Sequence, residues 1–216
     1  MQGVIRAVVG AQAGVAVAAA VYLSRGDGEK KMPPAGAPST EQTVDVERVL
    51  RAAAAIVKAS RSYGFVCSTP RGQAAPDCRI MDLHQLKPNE SLDFGLVSRS
   101  FTRKAEALRQ QGACTIAFHD PRASGEAGYL VLSGEARELT APEERRERWK
   151  SSWSFFHPGP QAEEVVQWVF SPRRLEMVSN LEGITDDWAA VTALREPGAP
   201  WVLQPRRSRA ERVPKS

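Results

Sequence analysis

Metal ligands and paired cysteines are scarce in this chain. Its 216 residues include three histidines, His84, His119 and His157, and three cysteines, Cys67, Cys78 and Cys114. The histidines lie far apart with no ligand spacing, which leaves a metal centre without support. The odd cysteine count and the lack of a CxxC pair argue against a disulfide framework and a zinc site, so three buried structural thiols are expected. No internal repeat occurs, which argues against solenoids and propellers. Charge of one sign is also missing from the body of the chain. The formal net charge is +4, but the last twelve residues, PRRSRAERVPKS, hold five Arg or Lys and one acid, and the remainder is neutral. That tail, residues 205–216, has no aromatic residue and reads as a solvated, disordered end rather than a nucleic-acid arm. No nucleic-acid partner is expected.

What is present is globular: 42% hydrophobic and 25% charged residues fit one domain with extensions. Residues 4–23, VIRAVVGAQAGVAVAAAVYL, contain only Arg6 and Gln12 as strongly polar residues. At about 1.5 Å per residue such a helix just spans a bilayer core. Residues 1–23 therefore read as a hydrophobic helix that anchors the protein in a membrane, or as a targeting segment that is removed. Gly10 and Gly14 form a GxxxG pair that would let two such transmembrane helices approach. Arg25, Lys30 and Lys31 outnumber Asp27 and Glu29 just beyond it, which orients the following domain toward the cytosol, matrix or stroma. Residues 24–39 are a linker by composition, and the folded domain is expected at 40–204.

Within that domain Ser39 and Gln42 have capping-box spacing, and Val46, Val49, Leu50, Ala53 and Val57 recur at helical intervals, predicting an amphipathic helix over 40–59. Short β-branched and aromatic segments follow at 62–69, 77–86, 91–98, 113–120 and 128–139. A helix over Arg103–Gln111, with Gly112 as its C-cap, separates the third and fourth. Thr140 and Glu143 suggest a further capping box, and strands resume at 164–171 and 174–180 around a turn at Pro172. The fold class is mainly β with inserted helices, an α+β arrangement in which a closed or partly closed barrel removes exposed edges.

One placement is odd. Arg103 and Lys104 sit in the first turn of their helix, where the backbone dipole disfavours cations by a few tenths of a kcal/mol each. An anion would compensate them.

The order CRIMDL, LVSRSFTRKAEALRQQGACTIAFHD, GYLVLSGEARELTAPEERRERWKSSWSFFHPGP and VQWVFSPRRLEMVS resembles the pyridoxamine 5'-phosphate oxidase-like family of FMN-binding split β-barrels. The likeness covers about residues 45–204 and is strongest in the Ser-x-x-x-Arg-Lys helix start and in the Trp-Lys-x-x-Trp-x-x-Phe-x-Pro segment. It implies an FMN cofactor whose phosphate is bound by Arg103 and Lys104, with Thr102 adding a hydroxyl. It further implies that Arg79 approaches the cofactor, and that the backbone at Met81, Val97 and Ser98 lines the isoalloxazine and ribityl side. Departures from the oxidase proper are equally specific. His84 stands where the oxidase has a phosphate-holding lysine, Tyr129 replaces a glutamine, and the C-terminal Arg-Leu-His segment is missing. Oxidation of pyridoxine 5'-phosphate is therefore not expected, and His84 and Tyr129 would border a different substrate or the flavin. Trp149, Trp153, Phe155 and Phe156 are expected to close the barrel against a dimer partner or to stack on the flavin, with His157 a turn residue. A homodimer is implied by the resemblance. Two functions remain open: a flavin-dependent oxidoreductase of a small-molecule substrate, and a non-catalytic accessory subunit of a membrane-associated complex.

Overall fold

The computed structural model describes residues 44–88, 91–120, 128–179, 184 and 189–205. The expected apolar segment at 4–23, the linker at 24–39, the Ser39–Gln42 cap and the tail beyond Pro205 lie outside these residues. Among the described residues no helix is long and apolar enough to cross a membrane. The first helix, α1 (Val46–Ala59), starts later than the expected residue 40. Val44 and Asp45 are not helical, and the Asp45 carboxylate caps the helix by accepting the Arg48 N–H at 2.8 Å. Its buried face, Val49, Ala52, Ala53, Ile56 and Val57, packs on β5 and β6, introduced below.

Among the described residues nine strands form one antiparallel sheet, the last two of them beyond the expected segments. In chain order they are β1 (Tyr63–Ser68), β2 (Asp77–Asp82), β3 (His84–Gln85), β4 (Phe94–Arg99), β5 (Ala113–His119), β6 (Tyr129–Glu138), β7 (Val165–Val178), β8 (Val191–Leu194) and β9 (Val202–Leu203). The spatial order is β2-β1-β5-β6-β7-β4-β3, with β8 paired to β7 and β9 to β8. The two ends of this path, β2 and β3, are joined in the chain by Leu83 alone, so the sheet must curl until its ends meet. Phe94, Leu96, Phe118, Leu130, Leu132 and Phe170 fill the interior that this curl encloses.

β7 differs from expectation. The segments on either side of Pro172 are one fourteen-residue strand. Its register against β6 slips between Ser133 and Gly134, so that Arg173 is the extra residue of a bulge. A proline, which has no N–H to donate, is tolerated at such a site. Gly134 is required opposite it, because a Cβ there would lie 2.3 Å from the Ser171 carbonyl oxygen. The bulge divides β7 in two: Val165–Phe170 pairs with β4, and Arg174–Met177 pairs with β8.

Two helices complete the fold. α2 (Arg103–Gln111) forms as expected, with Gly112 at φ 67° beyond its end, and touches β1 and β4. α3 (Pro142–Glu147) is shorter than its motif suggested and does not use the Thr140 capping box. Ala141 is its N-cap and Pro142 opens the helix. A 3-10 turn, Ser151–Phe155, follows. Lys150 pairs with Asp82 and donates to the Leu83 carbonyl, Ser152 donates to Asp82, and the Trp153 indole N–H donates to the Asp82 carbonyl at 3.1 Å. These bonds clasp the β2–β3 junction. Trp153 is 1% exposed and packs on Val97 and Val165 of its own chain, so it is not available to a dimer partner. Phe155 and Phe156 remain exposed.

The cysteine expectation is corrected. Cys67 and Cys78 form a disulfide, both half-buried, and only Cys114 is a buried thiol. The two residues are direct partners in the β1–β2 ladder with Cα atoms 4.1 Å apart, a separation that the hairpin register creates and that residue spacing alone does not disclose.

Candidate functional site

Among the described residues β2 is an edge strand, paired only with β1. Its register aligns Asp77 with Ser68, Arg79 with Val66 and Met81 with Gly64, which puts these three β2 side chains on one face. Opposite this edge, β3 pairs with β4 only at Phe94 and Gly95. Among the described residues no strand pairs with that side of Leu96–Arg99. The sheet is therefore split, with the free edges of β2 and β4 on either side and α2, which touches both β1 and β4, at its mouth.

The start of α2 is built by two hydroxyls. Thr102 accepts the Ala105 N–H and donates to the Arg99 carbonyl at 2.9 Å. Since its single proton is thus used, the contact between Ser98 and Thr102 oxygens at 2.9 Å has Ser98 as donor. This fixes the helix start on the end of β4, and Arg103 and Lys104 project from it. Arg103 reaches across to β2, with a guanidinium nitrogen 3.4 Å from the Asp77 carboxylate. Arg79 lies 3.7 Å from the same carboxylate and donates to the Cys78 carbonyl at 2.7 Å. Lys104 has no hydrogen-bond or ion-pair partner among the described residues. Burial, and then the neighbouring Arg79, holds its ammonium below the ordinary lysine pKa. Two arginines therefore share one carboxylate, and the lysine beside them has none.

The cluster extends toward the loop after the 3-10 turn. Arg99 pairs with Glu164 at 2.9 Å and donates to the Phe156 carbonyl. His157 follows, half-buried, its ring 6.4 Å from that of Trp149 and its Nδ1 enclosed without a partner. Burial lowers the His157 pKa, with Arg99 and Lys104 adding to the effect. Asp77, Arg99 and His157 are members that the sequence reading missed or took for turn residues. The two-residue offset from Arg79, which puts both side chains on one strand face, was the available signal for Asp77.

The structure thus gathers Arg79, Arg103 and Lys104, with Ser98 and Thr102 as the scaffold of the helix start. Met81 is buried on the Arg79 face, whereas Val97 packs against Trp153 and Val165. Two residues fall elsewhere. His84 donates from Nδ1 to the Arg148 carbonyl at 3.2 Å and meets Trp153 edge-on. Tyr129 sits at the start of β6 beside His119 and Val178, where burial and Glu176 raise its pKa. Among the described residues neither has a hydrogen bond, ion pair or ring contact with the cationic cluster. Among the described residues no group of His, Cys, Asp and Glu side chains could hold a metal ion.

No protein-family model matches the chain, and no curated protein matches it by sequence. Solved structures do match it in shape. A Clostridium acetobutylicum protein related to general stress protein 26, of the pyridoxinephosphate oxidase family, is 19% identical with a TM-score of 0.55, over 69% of this chain and 95% of that one. A pyridoxamine 5'-phosphate oxidase-related, FMN-binding protein from Nostoc punctiforme is 11% identical with a TM-score of 0.53, over 77% and 98%. The chain has their fold. PhzG from Burkholderia lata, solved with tetrahydrophenazine-1-carboxylic acid, matches with a TM-score of 0.50 at 11% identity, over 74% of this chain and 90% of that one. The split sheet seen here is thus the architecture of the pyridoxamine 5'-phosphate oxidase-related proteins.

Proposed function

We propose that the chain is an FMN-binding member of this group and acts as a flavin-dependent oxidoreductase on a small molecule other than pyridoxine 5'-phosphate. Lys104 carries the reading. A half-buried ammonium without an acid beside it, held next to Arg79 and one residue from Arg103, is unfavourable unless an anion joins it. A phosphate monoester at the start of α2 would meet Arg79, Arg103, Lys104 and the helix N–H groups together. Thr102 would add its hydroxyl only by releasing the Arg99 carbonyl, and otherwise holds the helix start in place. Met81 and Ser98 spend their backbone N–H and C=O on β1 and β7, so the donors and acceptors for the ribityl and isoalloxazine groups would come from Ile80 and Val97 on the open edges. When bound, FMN would supply the hydride or electron chemistry, while these residues bind and orient it. That His84 is engaged with Arg148 and Trp153 supports a substrate without the vitamin phosphate.

The same reading includes a homodimer. Phe101, Phe155 and Phe156 are 79%, 86% and 67% exposed, an apolar area that suits a second copy better than water. It also includes attachment to a membrane, or targeting, through residues 4–23. The Cys67–Cys78 disulfide favours an oxidising side of that membrane over the reducing compartments that the flanking charges suggest.

The deciding experiment is the absorbance of the purified full-length protein in the flavin bands, followed by release and identification of the cofactor. A stoichiometric FMN supports the reading. A colourless protein that takes up no added FMN overturns it.

A further inference from the structure

Resting on the phosphate site just described, we propose that Asp77 sets the charge selectivity of that site, matching it to a phosphate monoester by occupying part of it as an internal anion. Asp77 is poorly satisfied as an ion-pair partner. Its two oxygens stand 3.7 Å from Arg79 and 3.4 Å from Arg103, beyond good charge-assisted hydrogen bonds, and the oxygen facing Arg103 is closed off from water with no hydrogen-bond donor. On the same strand Asp82 shows what a settled carboxylate looks like, held by Lys150 and Ser152. Asp77 is instead a loosely held anion set among cations. Three positive side chains less one carboxylate leave a surplus of two charges, which complements a monoester dianion. Without Asp77 the surplus is three, and a more highly charged pyrophosphate gains most. The carboxylate also stands where a phosphate would contact Arg79 and Arg103, so an incoming anion must push it aside or share the guanidinium groups with it. Asp77 therefore lowers affinity for every anion and lowers it most for those of higher charge.

The test is titration of FMN, riboflavin, inorganic phosphate and inorganic pyrophosphate into wild type and Asp77→Asn, a near-isosteric change that removes the charge. FMN is expected to bind about tenfold more tightly to the variant, pyrophosphate to gain more than phosphate, and riboflavin to be unchanged. Equal or weaker FMN binding by the variant, or an equal gain for riboflavin, would overturn the proposal and leave Asp77 as a residue that only positions its arginines. Failure of the flavin reading looks different: wild type would bind neither flavin. The inorganic anions then decide, since a gain in Asp77→Asn, larger for pyrophosphate, upholds the role of Asp77, and no gain overturns it.

Discussion

Asp77 and Asp82 stand five residues apart on one strand and show two uses of a carboxylate. At Asp82 the accounts balance: Lys150 and Ser152 engage the carboxylate, Trp153 and Lys150 take the adjoining carbonyls, and the junction of β2 and β3 is closed by bonds within the chain. At Asp77 one carboxylate faces Arg79 and Arg103 at longer range, and Lys104 beside them has no anion. A fully paired polar cluster contributes stability, whereas an underpaired one stores affinity for whatever supplies the missing charge.

The comparison breaks most visibly at the open end. Arg103→Ala combined with Lys104→Ala should weaken FMN binding by about two to four orders of magnitude, since charge-assisted hydrogen bonds contribute roughly 1.5 to 3 kcal/mol each. Riboflavin affinity and thermal stability should stay as they are, because removing cations from a helix start does not weaken the helix. Unaltered FMN affinity would show that the phosphate lies elsewhere.

At the closed end the signature reverses. Trp153→Ala should destabilise the fold by about 3 to 5 kcal/mol in denaturant unfolding, as expected for deleting a fully buried indole. Should the midpoint barely move, the clasp is not what holds β2 to β3.

Next to the open end, the disulfide ties β2 to β1. Cys67→Ser with Cys78→Ser should cost about 2 to 3 kcal/mol, the value expected from closing a loop of this length. Thiol titration provides the companion measurement: the native protein should react slowly or not at all, since burial pushes the Cys114 thiol up to about 12, and the unfolded unreduced chain should show a single thiol. Three thiols in the unreduced unfolded protein would contradict the pairing.

Smaller effects come from titration. FMN affinity should fall as pH rises through the lowered Lys104 pKa, because the phosphate binds the ammonium form. His157 works through stability: with its folded pKa below the ordinary 6.5, the unfolded chain takes up the proton first. Stability should accordingly decline as pH falls from that value toward the folded one, and His157→Gln should flatten this part of the profile. A profile identical in the variant would mean that His157 titrates freely. Bound FMN should raise the His157 pKa, which imidazole resonances followed by NMR would report.

Much of the fold could be read in advance where a local rule governs it. α2 runs over the expected residues because strong helix formers lie between Thr102, a side-chain N-cap, and Gly112, which takes a positive φ. β1, β5 and β6 follow from alternation. Readings failed where distant chain decided. Pro172 looked like a turn, but the bulge opposite Gly134 carries the strand through it. The strands at Val191–Leu194 and Val202–Leu203 are too short to show a period. Trp153 looked like an interface aromatic until the β2–β3 junction was found above it.

By itself, the sequence determined where most of the helices and the longer strands lie and which side chains are cations, since periodicity, caps and propensity act over a few residues. It also marked Arg103 and Lys104 as misplaced unless an anion joins them. Only the tertiary structure decided that Cys67 meets Cys78, that Asp82 is clasped by Lys150, and that Asp77 stands between Arg79 and Arg103 while Lys104 goes unpaired. Those outcomes depend on strand register and on which edges of the sheet come together. Both are set by burial of the whole core, and no short stretch of chain contains that information.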